Sequence, residues 1–356
     1  AILLPKLTSP EAAGRLADDI LEALRIKDGA DGVDAISASI GIAICPDDAP
    51  DHEALMTCAD TALYRAKIEG RATYRFFEAG MGEAVRDRRI LEHDLRQAVA
   101  RNQMSLVYQP QNDIRNGTVV GFEALLRWTH PSRGAVSPGL FIPIAEEAGA
   151  ILDIGEWVLR AACREAASWK HPLTIAINVS AVQIYNENFA RLVHEVLLET
   201  GLAPGRLELE ITETALVRDL NRALMTLRQV KALGVRIAMD DFGTGYSSLS
   251  NLRAFPFDKI KIDGSFIKSV NANDQAATIV RAVLGLGRGL GLPVLAEGVE
   301  TSAELDFLRD ELCDEVQGYL LGRPATIGDF RALTHDAAAD VAPAEVVSPR
   351  RLAANA

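Results

Sequence analysis

Acidic and amide residues recur at the ends of successive short apolar runs between residues 123 and 317. They are Glu123 in FEALLRW, Asn178 in AINVS, Glu210 in LELEITE, Asp240 and Asp241 in IAMDDFGTG, Glu297 in LAEGVE and Gln317 in EVQGY. Lys261 in KIKID stands among them. Hard oxygen donors gathered in one place make a cation site, and crowded carboxylates repel unless protons or metal ions separate them. A neutral amide such as Asn178 ligates Mg²⁺ or Mn²⁺ without adding negative charge. The adjacent Asp240 and Asp241 would let one carboxylate bridge two ions while its neighbour holds the second. Two ions roughly 3.5–4 Å apart activate a water and stabilise a leaving oxygen. Lys261 in such a rim would orient water or phosphate, and Arg127, four residues after Glu123, suits a phosphate oxygen.

These residues need a scaffold that brings strand ends together. MSLVYQP and TVVGFEALLRW read as strands joined by the polar turn NDIRNG, a link too short for a parallel crossover. TIAINVS, RLELEIT, VRIAMDD, KIKID, LPVLAEG and CDEVQGY read as further strands, mostly separated by helix-length stretches, which favours a parallel sheet. About eight strands over roughly 230 residues predict an α/β fold, a (β/α)8 TIM-like barrel with one antiparallel strand. Active sites of such barrels collect at the carboxyl ends of the strands. Glu123, Asn178, Glu210, Asp240, Asp241, Lys261, Asp263, Glu297 and Gln317 fall near or just past such ends. One acidic residue there is most often a helix cap, but a whole set on one rim is poorly explained that way.

The rest of the chain is read as three pieces. Residues 1–78 alternate strand and helix signals: a strand at AILLPKL, an amphipathic helix with Ala12, Leu16, Ile20 and Leu24 on its apolar face, a strand at AISASIGIAI, and a helix stopping at Gly70. Residues 79–102 read as a charged connecting helix ahead of the barrel at 103–335. The Ala/Pro-rich tail, 336–356, lacks periodicity and is expected to be disordered.

Composition narrows the function. The 356 residues are 48% hydrophobic and 24% charged, ordinary for a globular chain with a sizeable core. A net charge of −12 argues against wrapping a DNA or RNA polymer. Four cysteines far apart argue against zinc clusters and disulfides and for a reducing cytoplasm. No apolar run reaches membrane-span length, and AILLP has no basic region before it, so any inner-membrane anchor is expected upstream. Two motif matches are discounted. Asp241-Phe242-Gly243 spells the kinase magnesium motif without the companion motifs. GLGRGLG at 285–291 lies between a helix and a strand, the reverse of a dinucleotide fingerprint, and reads as a helix stop.

Taken together, QPQ at 109–111, EALLRW at 123–128, NVS at 178–180, ELEITE at 208–213, DDFGTGYSSL at 240–249, KID at 261–263, AEGVE at 296–300 and QGYLLGRP at 317–324 are very specific. On these motifs, residues 103–335 resemble the EAL family of cyclic di-GMP phosphodiesterases. The resemblance implies that Glu123, Asn178, Glu210 and Asp240 hold a first metal ion. It implies that Asp240 and Asp241 hold a second, with Glu297 close by. Lys261 would position the attacking water, so that Lys261, Glu297 and Glu123 form the catalytic group. Arg127, Gln109, Asp263 and Gln317 would serve the substrate and its surrounding shell. Glu213 and Glu300 would brace the DDFGTG loop. Two Mg²⁺ or Mn²⁺ ions are the implied cofactors, cyclic di-GMP the implied partner, and a homodimer through the barrel the expected assembly.

AILLPKL, SASIGIAICPDD and ADTALYRAKIEGRATYRFF resemble the carboxyl-terminal part of a GGDEF (diguanylate cyclase) domain. The signature of that family would precede AILLP, so this partial α/β domain is expected to make no nucleotide. The expected activity is hydrolysis of cyclic di-GMP to linear pGpG in bacterial second-messenger signalling. The alternatives are a non-catalytic cyclic di-GMP receptor and a metal-dependent hydrolase of another phosphate ester.

Overall fold

Gly41 decides how the first part of the chain packs. A Cβ on it would lie 2.0 Å from the Ala59 carbonyl oxygen and 2.1 Å from the Leu63 nitrogen, so only glycine lets the helix His52–Ile68 rest on strand β1 (Ile40–Ile42). β1 pairs in parallel with β2 (Tyr74–Phe76), and that helix is the crossover between them. The structure is a computed structural model describing residues 1–5, 7, 9–24, 37–68, 70, 72–216, 219–243 and 254–335. The expected tail lies outside these residues.

The chain divides into two units, 1–94 and 95–356. In the first, three expectations are corrected. Residues 1–5 form no strand, and Ile2 and Leu3 are exposed: an apolar run proposes a strand, but only a paired edge makes one. The strand expected over AISASIGIAI shrinks to Ile40–Ile42 for the same reason, since its pairing with β2 spans three residues. The helix Pro10–Leu24 buries its small residues Ala13, Gly14 and Ala17 rather than Leu24. A Cβ at Gly14 would meet the Tyr74 hydroxyl at 3.1 Å, so small residues admit that ring.

The charged helix Met81–Ala98 leads into the barrel. Its strands are β3 (Met104–Asp113), β4 (Val119–His130), β5 (Gly134–Val136), β6 (Thr174–Asn178), β7 (Leu207–Thr212), β8 (Arg236–Phe242), β9 (Lys259–Ile262), β10 (Val294–Ala296) and β11 (Glu315–Val316). The ring runs β3-β11-β10-β9-β8-β7-β6-β4 and closes by β3 on β4, with β5 added outside on β4. β3 is antiparallel to both its neighbours, as the short turn requires, and the other ring pairs are parallel. The short strand β5 is not foreseen by the sequence pattern.

Helices sheathe the ring by the usual periodicity. Helix Ile151–Ser168 buries Ile151, Ile154, Val158, Leu159, Ala162 and Ala166. Helix Asp274–Leu290 starts on the Asn273 side chain, which accepts from Gln275 N and Ala276 N, and stops at Gly291 (φ 69°). The glycine run is therefore a helix end, as expected. Among the described residues, no helix is long and apolar enough to cross a membrane.

Inside the ring, alternation puts charge inward. On β7, Glu208 and Glu210 alternate with Leu207, Leu209 and Ile211, and on β9 Lys259 and Lys261 alternate with Ile260 and Ile262; all are buried. The lower layer is an ion cluster: Lys259 Nζ lies 2.8 Å from both Glu208 Oε1 and Glu315 Oε2, and Arg236 Nε lies 3.5 Å from Glu208 Oε2. Lys261 and Glu210 form the layer above it.

Candidate active site

A one-residue irregularity in β8 creates the acidic pair. In a regular strand Asp240 and Asp241 would point to opposite faces. Here Met239 pairs with Ile260 and Phe242 with Ile262, three steps against two. Asp241 takes a φ of 55°, a conformation uncommon for a non-glycine residue. The bulge re-aims Asp241, and Asp240, Asp241 and Glu297 each bring one carboxylate oxygen within 4.8 Å of the others.

Loop packing places the next members. Glu297 follows β10 and leads into Gly298 (φ 69°), where a Cβ would lie 2.9 Å from Gly264 Cα. Gln317 follows β11; its backbone N–H donates to Ala296 O at 2.9 Å and its backbone carbonyl accepts from Val299 N at 3.1 Å. Glu123 comes from β4 and Asn178 closes β6. Both oxygens of Glu123 are engaged: Asn178 Nδ2 donates to Oε1 and Gln317 Nε2 to Oε2, each at 2.6 Å.

Lys261 is fully buried among carboxylates. Its Nζ lies 2.6 Å from Glu297 Oε1, 2.7 Å from Glu210 Oε2 and 3.2 Å from Asp240 Oδ1. Burial alone would push this ammonium down, but Asp240, Glu210, Glu297 and Glu123 hold it well above the usual lysine range. One cation cannot satisfy this many anions. Burial, with the repulsion of the neighbouring carboxylates, pushes Glu210 well above the carboxylate range and Glu297 up to about 8, even against the attraction of Lys261. Asp241 is pushed up by burial and by the charges of Asp240 and Asp263. For Glu123 burial acts in the same direction, yet Lys261 and the amide donors of Gln317 and Asn178 overcome it and lower its carboxyl.

This donor set fits divalent cations. Carboxylates outnumber the lysine, the oxygens of Asp240, Asp241 and Glu297 converge, and hard cations take oxygen ligands of this kind. Glu123, Asn178, Glu210, Asp240, Asp241, Lys261, Glu297 and Gln317 thus belong to one cluster at one end of the ring. Of the other expected residues, Gln109 bonds to the cluster through Gln317. Arg127 lies on β4 opposite Ser105, and its Nη1 donates to Leu126 O at 2.9 Å. Asp263 caps the turn Gly264–Ile267 by accepting from Ser265 N at 3.0 Å. Gln109 is buried, with both ends of its amide bonded inside the protein. Glu213 is buried at the end of β7, and Glu300 pairs with Lys268 at 2.9 Å. The loop they were expected to brace lies, from residue 244 to 253, outside the described residues. Gln111, given no role by the sequence reading, is fully buried with Nε2 3.4 Å from Glu210 Oε1. Its position two residues after Gln109 on β3 was the available signal.

Comparison with known proteins agrees with this architecture. A family model of the EAL domain matches residues 92–324, and one of the diguanylate cyclase, GGDEF domain, matches residues 1–73. An uncharacterized signaling protein of Caulobacter vibrioides is 56% identical over 319 residues, 89% of this chain and 39% of that protein. The bifunctional diguanylate cyclase/cyclic di-GMP phosphodiesterase MucR of Pseudomonas aeruginosa is 46% identical over 293 residues, 81% of this chain and 43% of that protein. The chain thus spans about two fifths of the length of these relatives. Among solved structures, the PaMucR phosphodiesterase in complex with c-di-GMP is similar with a TM-score of 0.66 and 46% identity, over 68% of this chain and 99% of that one. The EAL enzyme Bd1971, in its cAMP- and cyclic-di-GMP-bound form, gives 0.69 and 28% identity, over 80% and 76%. Barrel, rim and sequence point the same way: this chain belongs to the EAL domain family, with a GGDEF-family segment at its N-terminal end.

Proposed function

We propose that the barrel hydrolyses one phosphodiester of cyclic di-GMP to linear pGpG. The observation that carries this reading is Lys261, buried in contact with Glu210, Asp240 and Glu297 beside the converging oxygens of Asp240, Asp241 and Glu297. A receptor has no use for a buried ammonium set among cation ligands. Glu123, Asn178, Glu210 and Asp240 would hold one Mg²⁺ or Mn²⁺, and Asp240 and Asp241 the other, with Glu297 beside them. Bound there, the two ions would supply the positive charge that acidifies a water and stabilises the leaving oxygen.

The chain's own groups do the rest. Lys261 Nζ donates a hydrogen bond to the water and holds it in line with the phosphorus. Glu297, the carboxylate nearest to that ammonium, accepts the water's proton. The water oxygen bonds to phosphorus, the bond to the 3′-oxygen breaks, and the 3′-oxygen takes a proton from solvent to leave as a hydroxyl, while Glu297 returns the water's proton to solvent. The phosphate stays on the 5′-oxygen, which gives pGpG. Arg127, on the strand that carries Glu123, would grip a substrate phosphate.

The test is turnover of cyclic di-GMP by the purified protein, read by chromatography of pGpG, with Mn²⁺ or Mg²⁺ and with excess EDTA. Binding without pGpG would make the chain a receptor. Cleavage of simple aryl phosphate diesters with cyclic di-GMP left intact would make it another phosphoesterase.

A further inference from the structure

A chain of hydrogen bonds joins a backbone carbonyl to a carboxylate of the site. Gln109 Nε2 donates to Gly322 O at 3.0 Å, and Gln109 Oε1 accepts from Gln317 Nε2 at 3.1 Å. Gln317 Nε2 donates again to Glu123 Oε2 at 2.6 Å, and Glu123 Oε1 accepts from Asn178 Nδ2 at 2.6 Å.

The direction of every bond follows from the first. A carbonyl oxygen only accepts, so Gln109 must turn its NH₂ towards Gly322. Its oxygen is then the end left for Gln317, which must answer with its own NH₂. Turning either amide over would set two acceptors against each other in a buried place, Gln109 against Gly322 O or Gln317 against Glu123. The origin of the chain is itself anchored. Tyr108 N donates to Ala325 O at 2.8 Å and Ala325 N to Tyr108 O at 3.0 Å, which ties the segment after β11 to β3. A Cβ at Gly322 would lie 2.5 Å from Pro110 Cγ, so this backbone lies directly on the strand that carries Gln109. The outcome is a Gln317 whose NH₂ is spent on Gln109 and Glu123. Its Oε1 is left as a buried acceptor without a protein partner.

We propose that Gln109 is a positioning residue rather than a substrate contact: it fixes the amide orientation of Gln317 and, through it, the carboxylate plane of Glu123. Glu123 is thereby held between two amides, Gln317 on one oxygen and Asn178 on the other. Both ends of the Gln109 amide are engaged inside the protein, with Gly322 O and Gln317 Nε2, so only its second Nε2 hydrogen, on a buried side chain, is left for a phosphate. The inference rests on the two-ion reading only in taking a divalent cation as what Glu123 holds. Partners of this kind, one step behind a ligand, change metal affinity by roughly 10–100-fold when removed.

The test reads metal and nucleotide separately on the full chain. Mn²⁺ alone, titrated by calorimetry, should bind about 10-fold or more weakly to Q109M, while the KM for cyclic di-GMP stays within about twofold and kcat falls. In a Q317M background, Q109M should add no further loss of Mn²⁺ affinity, because a residue acting through another is non-additive with it. Should Q109M not fold, Q109N gives the same test: it keeps the amide but is one methylene short of spanning Gly322 and Gln317. Unchanged Mn²⁺ affinity with a raised KM would overturn the proposal and make Gln109 a substrate contact. Additive losses in the double variant would overturn it as well. Because the Mn²⁺ titration needs no turnover, absence of pGpG from the unaltered chain would strike the proposed reaction and leave this result standing.

Discussion

Lys261 Nζ lies 2.6 Å from Glu297 Oε1, so a buried ammonium touches the carboxylate that opens the loop after β10. The contact joins β9 to the β10 loop and gives the site a fixed positive charge, the one proposed to orient the attacking water. K261A should lower kcat by roughly two orders of magnitude or more, as loss of a preorganised charge commonly does. Mn²⁺ binding should survive, because the carboxylates remain. Near-normal kcat at saturating cyclic di-GMP would remove Lys261 from the mechanism.

The same crowding predicts a pH dependence of the metal-free protein. The Glu297 carboxyl moves from an ordinary 4.5 to about 8 in the folded chain, chiefly through burial. Between those values the folded state holds a proton that the unfolded state has lost, so stability falls as pH rises through the window. In EDTA, the melting temperature should be lower at pH 8 than at pH 6, and E297Q should flatten that difference. Mg²⁺ should restore melting at pH 8, since an ion takes the place of the proton. A metal-free melting temperature that climbs over this range in the unaltered chain but not in E297Q would show that Glu297 ionises readily in the fold.

Glu123 tests the ligand assignment from the other side. Both its oxygens face amide donors, and burial opposes its charge. E123A should cut turnover by about 100-fold or more while melting in EDTA changes little, because the rim serves chemistry rather than the packed core. Retention of activity at limiting Mn²⁺ would exclude Glu123 as a ligand.

Much of this site was legible because barrel strands repeat one rule: the residue at each carboxyl end faces a common centre. That rule alone gathers Glu123, Asn178, Glu210, Asp240, Lys261, Glu297 and Gln317. Asp241 was named for its adjacency to Asp240, but only the bulge against β9 explains how neighbours share a face. Gln111 and the layer of Lys259, Glu208, Glu315 and Arg236 were passed over. Alternation marks such residues as inward, yet charges inside a barrel are read as exposed until a partner two strands away is known. In the first unit, Ile2 and Leu3 show the opposite error, an apolar pattern without a pairing edge.

The ion requirement follows from the oxygen-only character of the donor set. Mg²⁺ or Mn²⁺ should support turnover and Ca²⁺ should inhibit it, because Ca²⁺ takes more ligands at longer distances and would loosen the geometry around Asp240 and Asp241. Turnover that persists in excess EDTA would sink the two-ion reading.

The barrel should fold without the first unit. Its ring closes on itself through β3 and β4, so no strand edge of the ring waits for a partner from residues 1–78. The EAL match likewise begins only at residue 92. The helix Met81–Ala98 is kept whole, since its end, Leu95 and Ala98, is buried within the barrel's own unit. Residues 80–356 should therefore melt cooperatively and hydrolyse cyclic di-GMP at a rate within a few-fold of the whole chain, any difference reflecting lost regulation through that helix. The GGDEF segment contributes none of the clustered ligands, so its removal should leave the Mn²⁺ affinity unchanged. The measurement is a side-by-side comparison of melting, Mn²⁺ titration and pGpG formation. Collapse of the shortened chain would show that residues 1–79 complete the barrel's fold, and the boundary between the two units would have to be redrawn.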